Sequence, residues 1–253
     1  MSSALRFGRL FLFSPAKAAA ACATDRALKD SSIVYGLTLL AAALFQYWKP
    51  YDFPDAAAAV PLGPQGFFFW LKVMLWQPLL MAALIGFAGV LLRWLKDGWL
   101  PLKVASSVFW CAAPLVLTVL YVKNGIPKPA FAALMVLWAV PAFAVGRGVP
   151  AAQWRPLAAF LLGLNAIQLA ALFPQAVVTA LRWEGGYKAV VGVAGFWMLI
   201  GGALGLKALA PARPLARAAL PLLFALVLQI VVVIAAFMLG WLPVETLKAL
   251  LYG

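Results

Sequence analysis

The chain has 253 residues, of which 66% are hydrophobic and only 11% charged, with a net charge of +13 and a mean hydropathy of +1.00. A soluble domain carries about 25% charged residues, and the fraction here is too small to cover a water-soluble globule of this length. Soluble enzymes, disordered tails and coiled coils are excluded, and an all-α polytopic membrane bundle is expected.

Residues 1–30 read as an N-terminal cytoplasmic or interfacial segment. The apolar stretch 10–13 is too short for the core of a cleaved signal, and Pro15 and Lys17 interrupt it. Ser14 followed by Pro15 predicts a helix start, with Ser14 as N-cap and Pro15 in the first turn. Ahead of it, Leu5-Arg6-Phe7-Gly8-Arg9-Leu10-Phe11-Leu12-Phe13 mixes basic and large apolar residues. Two readings are open: a helix lying on the inner leaflet, or a plain extension rich in small residues.

The transmembrane domain, residues 31–242, holds seven apolar runs near 33–48, 68–92, 104–122, 130–146, 157–181, 189–206 and 218–242. A helical span needs about 20 mainly apolar residues, and barrel strands would show roughly ten-residue alternation. Seven helices follow, the fifth interrupted by Pro174. Residues 243–253 make a short external tail.

Loop charge tests the count. Thirteen of the twenty basic residues fall before the first run or between runs two and three, four and five, and six and seven. Arg93, Lys96 and Lys103 are among them, as are Arg155, Arg213 and Arg217. Six lie on the other side, and Lys72 is inside run two. The basic side is the cytoplasmic one, which places the N-terminus inside and the C-terminus outside. Trp48, Trp94, Trp183 and Trp241 near run ends suit headgroup anchors, while Trp76, Trp110, Trp138 and Trp197 lie deeper.

The missing residues exclude chemistry. There is no histidine, so His-based metal sites, dyads and proton relays are not expected. Cys22 and Cys111 form no CxxC pair, and the acids Asp25, Asp30, Asp52, Asp55, Asp97, Glu184 and Glu245 all flank polar connections. No intramembrane carboxylate is present for proton coupling, and no cofactor is expected. The basic residues are spread over many loops, which fits anionic inner-leaflet lipid and not nucleic acid.

Three features invite a site. Asn165, Gln168, Gln175 and Thr179 recur along one helical stripe. They read either as interhelical hydrogen-bond glue, the expected role, or as a polar-lined substrate groove. Lys72 snorkels or contacts an anionic group. Gly201 and Gly205 form a GxxxG pair for helix packing, within the monomer or in a homo-oligomer.

The order of features resembles the Yip family of Ypt/Rab-interacting membrane proteins. Phe13-Ser14-Pro15 and Ala27-Leu28 precede the first span, and Leu91-Leu92-Arg93-Trp94 closes the second. Val108-Phe109-Trp110-Cys111-Ala112-Ala113-Pro114 marks the third. Phe196-Trp197 and Gly201-Gly202-Ala203-Leu204-Gly205-Leu206-Lys207 lead to the basic connection at 213–217 and the last span. The likeness covers roughly 5–122 and 187–242, and departs in having seven spans where the family has five, with 130–181 as the extra pair. It implies a non-enzymatic bacterial inner-membrane protein that binds or organises partner proteins or lipids. The alternative from the residues is a transporter or permease subunit for an uncharged or lipid-like substrate.

Overall fold

The computed structural model describes residues 3–53, 64–210 and 214–252. Asp55 and Arg213 lie outside the described residues. All regular structure among the described residues is helical. Helices α1 (Ser3–Phe13) and α2 (Pro15–Ala21) precede the first span, α3 (Ala27–Trp48). The second span is α4 (Phe67–Met74) followed by α5 (Gln77–Trp94), and the third and fourth are α6 (Leu100–Asn124) and α7 (Lys128–Gly146). The fifth joins α8 (Ala151–Gly163) to α9 (Asn165–Ala180), the sixth is α10 (Glu184–Leu209), and the seventh is α11 (Leu215–Met238). A short α12 (Val244–Tyr252) ends the chain described. Among the described residues seven spans are long and apolar enough to cross a bilayer, and the protein is an integral membrane protein.

The breaks have local causes. Pro78, in the first turn of α5, has no N–H to offer the preceding turn, so the second span bends after Met74. The fifth span breaks at Leu164 and not at Pro174, through which α9 runs on. Gly163 supplies the weak point there, and the ring of Phe11 packs against it where a side chain would otherwise stand. Gly240, with φ of 81°, takes the left-handed position that ends α11, and Trp241 N–H donates back to Ala236 O. The chain then turns so that α12 packs on α4 and α11, with Ala249 beside Trp70 and Val73. Residues 244–252 of the tail expected at 243–253 thus form a helix docked on the bundle.

The fifth span lies at the centre. Over its most apolar stretch 56% of residues are buried inside the protein, against 6% for α7. Helix α3 packs along α8 and α9, α10 covers α9, α11 packs on α10 and α5, and α6 with α7 forms the outer wall. Ser31 Oγ donates to Ala159 O at 2.6 Å, and Thr38 Oγ1, which donates to Val34 O at 2.8 Å, lies 3.2 Å from Asn165 O, so α3 and α8–α9 run side by side in the same direction. Trp110 and Trp138 stack at 5.0 Å, and each indole N–H donates to the other's backbone carbonyl, which ties α6 to α7.

Loop contacts sort into two faces in the alternation that seven spans require. On the basic face, Arg155 grips Asp25 through its carboxylate (2.7 Å) and its carbonyl (2.6 Å). Arg217 there donates to the carbonyls of Leu95, Lys96 and Gly98. On the opposite face Asp52 pairs with Arg182 at 3.3 Å, and Phe53 packs edge-on to Tyr187. Burial lowers the pKa of the Lys49 amine at the end of α3.

The N-terminal segment departs most from expectation. Ser3 Oγ donates to Asp30 Oδ1 at the start of α3, and Gly8 faces Val34 and Ala166. Helix α1 therefore climbs beside α3 into the bundle. Its end reaches the middle of α10, where Trp197 Nε1 donates to Leu12 O at 3.1 Å. Pro15 then lies against Gly201, and α2 returns along α10 towards the basic face. The segment is a helical hairpin, with α1 packed on α3 and α9 and α2 on α10. The apolar face read from the sequence is real: Ala4, Phe7 and Phe11 recur at helical spacing and are buried. Protein covers that face where acyl chains were expected, while Arg6, Arg9 and Lys17 stay exposed on the other side of the hairpin.

Candidate functional site

The four polar residues of the fifth span keep their common stripe along α9. Asn165 opens α9, and its amide donates to the carbonyls of Leu161 (3.3 Å) and Leu162 (3.1 Å) in the last turn of α8. Gln168 is half-buried, and Gln175 and Thr179 are buried. The cavity beside α9, about 380 Å³, opens between Ile167, Pro174, Val193 and Trp197 on a different face of the helix and is apolar. That cavity is not lined by the residues of the polar stripe.

Thr179 Oγ1 and Gln46 Oε1 are buried without a hydrogen-bond partner among the described residues, as is Tyr35 OH. An unpaired buried hydroxyl costs about 1–3 kcal/mol of desolvation. Thr179→Val keeps the shape and removes that group. Its expected effect is a melting temperature in detergent equal to or above wild type, worth up to about 1 kcal/mol. A loss of stability would reveal a bond that the hydroxyl makes in the bilayer.

The remaining sequence candidates separate in space. Lys72 is exposed on α4 and makes no ion pair with a described residue. Gly201 and Gly205 face the protein interior: Gly201 meets Pro15 of the hairpin and Gly205 the ring of Phe160. Their close approach is spent inside the monomer, with α2 and α8. Among the described residues no three Cys, Asp or Glu side chains gather at one point.

Sequence reasoning missed two constellations. The first is the hairpin, whose only sequence signal is the Phe-Ser-Pro turn between two stretches too short to span. The second lies at the basic face between α5, α6 and α7. Arg93, Asp97 and Lys103 border a recess of about 340 Å³ there, with the Lys103 ammonium 3.4 Å above the Trp94 ring. Arg93, Asp97 and Lys103 share the connection between the second and third runs, and what the sequence does not show is that Ala144, Val145 and Gly148 at the end of α7 close the recess against them. Searches against protein-family models, curated proteins and solved structures find no match for this chain.

Proposed function

We propose that this integral membrane protein is non-enzymatic and binds or organises partner proteins or lipids, its basic face towards the cytoplasm of a bacterial cell. The observation that supports this reading is the burial of the polar stripe: the Asn165 amide bonds to the last turn of α8, and Gln175 and Thr179 are buried. A permease would present such groups to an aqueous or substrate-filled path. The order of motifs resembles the Yip family, whose eukaryotic members recruit prenylated small GTPases. That activity is not carried over, because the fifth span, absent from the five-span domain, is the centre of this bundle.

A permease subunit is the second reading. One feature favours it: a hairpin that enters and leaves by one face, a device that transporters and channels share. Single cysteines at Gln168 and Gln175, in a background lacking Cys22 and Cys111, separate the two. The organising role predicts no reaction with a membrane-impermeant thiol reagent from either face. Reaction from one face would establish a water path and favour the permease. Isolation in mild detergent is then expected to retain a lipid or protein in fixed ratio through gel filtration; its loss in every detergent would count against an organising role.

A further inference from the structure

The recess at Arg93 and Lys103 continues downward into the membrane-facing wall. Trp94 and Val145 border both it and an apolar crevice of about 200 Å³. The crevice runs between α5, α6 and α7 past Val90, Ser107 and Pro141 to Trp110, half of the stacked indole pair. Both serines on its wall, Ser106 and Ser107, donate to the Lys103 carbonyl, so their hydroxyl protons are committed within α6. The crevice consequently offers hydrocarbon contact and little else.

The mouth has the opposite character. No described residue forms an ion pair or hydrogen bond with the exposed Arg93 guanidinium, and Asp97 is beyond ion-pair distance of both cations. Lys103 is held over the indole face of Trp94, which positions its charge at the rim. Gly148 leaves room for Arg93: a Cβ there would lie 3.4 Å from Nε. Two cations and one carboxylate give the rim a net charge of about +1. It belongs to the face where basic loops gather and where interfacial tryptophan is favoured.

From this juxtaposition we infer that α5, α6 and α7 form a binding site for one anionic glycerophospholipid. Arg93 and Lys103 hold its phosphate, and one acyl chain fills the crevice down to Trp110. Guanidinium and ammonium donors match phosphate oxygens, and their charge is strongest where water is partly excluded. The apolar continuation selects a lipid over a soluble phosphate, and the net positive rim selects an anionic over a zwitterionic headgroup. Asp97 accepts hydrogen bonds from hydroxyls of a glycerol-type headgroup. The site deepens the proposed organising role by naming a lipid class and a position. Its failure would leave protein co-purification, which reports on that wider role, unaffected.

The test is thermal unfolding of the full chain in detergent with added phosphatidylglycerol or phosphatidylcholine, alongside native mass spectrometry. The expected result is a melting temperature raised by phosphatidylglycerol alone, with one lipid retained per protein. Arg93→Gln with Lys103→Gln should weaken phosphatidylglycerol binding at least fivefold. Ala142→Trp fills the crevice from α7, the least buried span, and should abolish retention while leaving both cations in place. An equal response to both lipids would overturn the site, as would undiminished binding by either folded variant. Glycerol 3-phosphate should give no shift; if it matches the lipid, the recess holds a soluble phosphate and the lipid assignment falls.

Discussion

Phe11→Ala is expected to release the N-terminal hairpin from the bundle while the seven spans persist. Phe11 is fully buried, lies 5.6 Å from the Phe160 ring centroid, and occupies the space that Gly163 leaves open. Phe-to-Ala changes in packed cores cost about 3–5 kcal/mol. In a bilayer a released ring passes into lipid and not into water, so lost dispersion contacts and the residual cavity make up most of the cost. The lower end, about 3 kcal/mol, is therefore expected, equal to roughly a hundredfold rise in hairpin opening.

Cys22 reports that opening directly. It follows α2, is 1% exposed, and burial pushes its thiol up to about 12. In a Cys111→Ala background the wild-type hairpin should protect Cys22 from a thiol reagent added at the basic face. Phe11→Ala should label about a hundred times faster, because reaction follows the population of the open form. A wild-type Cys22 that reacts as fast as a free thiol would mean that the hairpin does not occupy the bundle.

The second large effect is a contrast within one helix. Gly195 and Gly205 both belong to α10, and an added Cβ meets nothing within 4 Å at Gly195. At Gly205 it would run into the ring of Phe160, which is fully buried and has no room to turn aside. Gly205→Ala should destabilise by about 1–3 kcal/mol through overpacking and push α10 away from α8. Gly195→Ala should stabilise by about 0.5–1 kcal/mol, since alanine loses less backbone freedom in a helix. Melting of the two variants in one detergent checks the opposite signs. If both shift the same way, α10 does not approach α8 at Gly205.

Much of this architecture is legible in the sequence because it depends on composition and on local order. Long apolar runs must be helical in lipid, where each backbone polar group needs a partner within its own segment. The positions of Arg155 and Asp25, or of Asp52 and Arg182, on shared faces follow from counting spans between them. Span ends differ by several residues, as at Ala27 for the first, because polar first turns such as Leu28-Lys29-Asp30 continue the helix beyond the apolar stretch. The polar stripe of Asn165, Gln168, Gln175 and Thr179 is likewise legible as a stripe, since periodicity is local.

What covers each face is not local. The same glycine spacing serves lipid-facing packing or a buried contact, and only the approach of Phe160 and Pro15 assigns Gly205 and Gly201 to the interior. The basic and aromatic stretch before Pro15 fits a leaflet surface as well as a protein cleft, because acyl chains and packed side chains are equally apolar neighbours for Phe7 and Phe11. By itself the sequence determined an integral membrane protein of seven helical spans with its charge sorted to one side. Tertiary structure alone decided that a hairpin fills the bundle, that the fifth span lies at its centre, and that the end of α7 closes a recess beside Arg93 and Lys103. The physical reason is that burial in lipid rewards apolar surface without specifying its partner, whereas shape complementarity between distant segments does specify it.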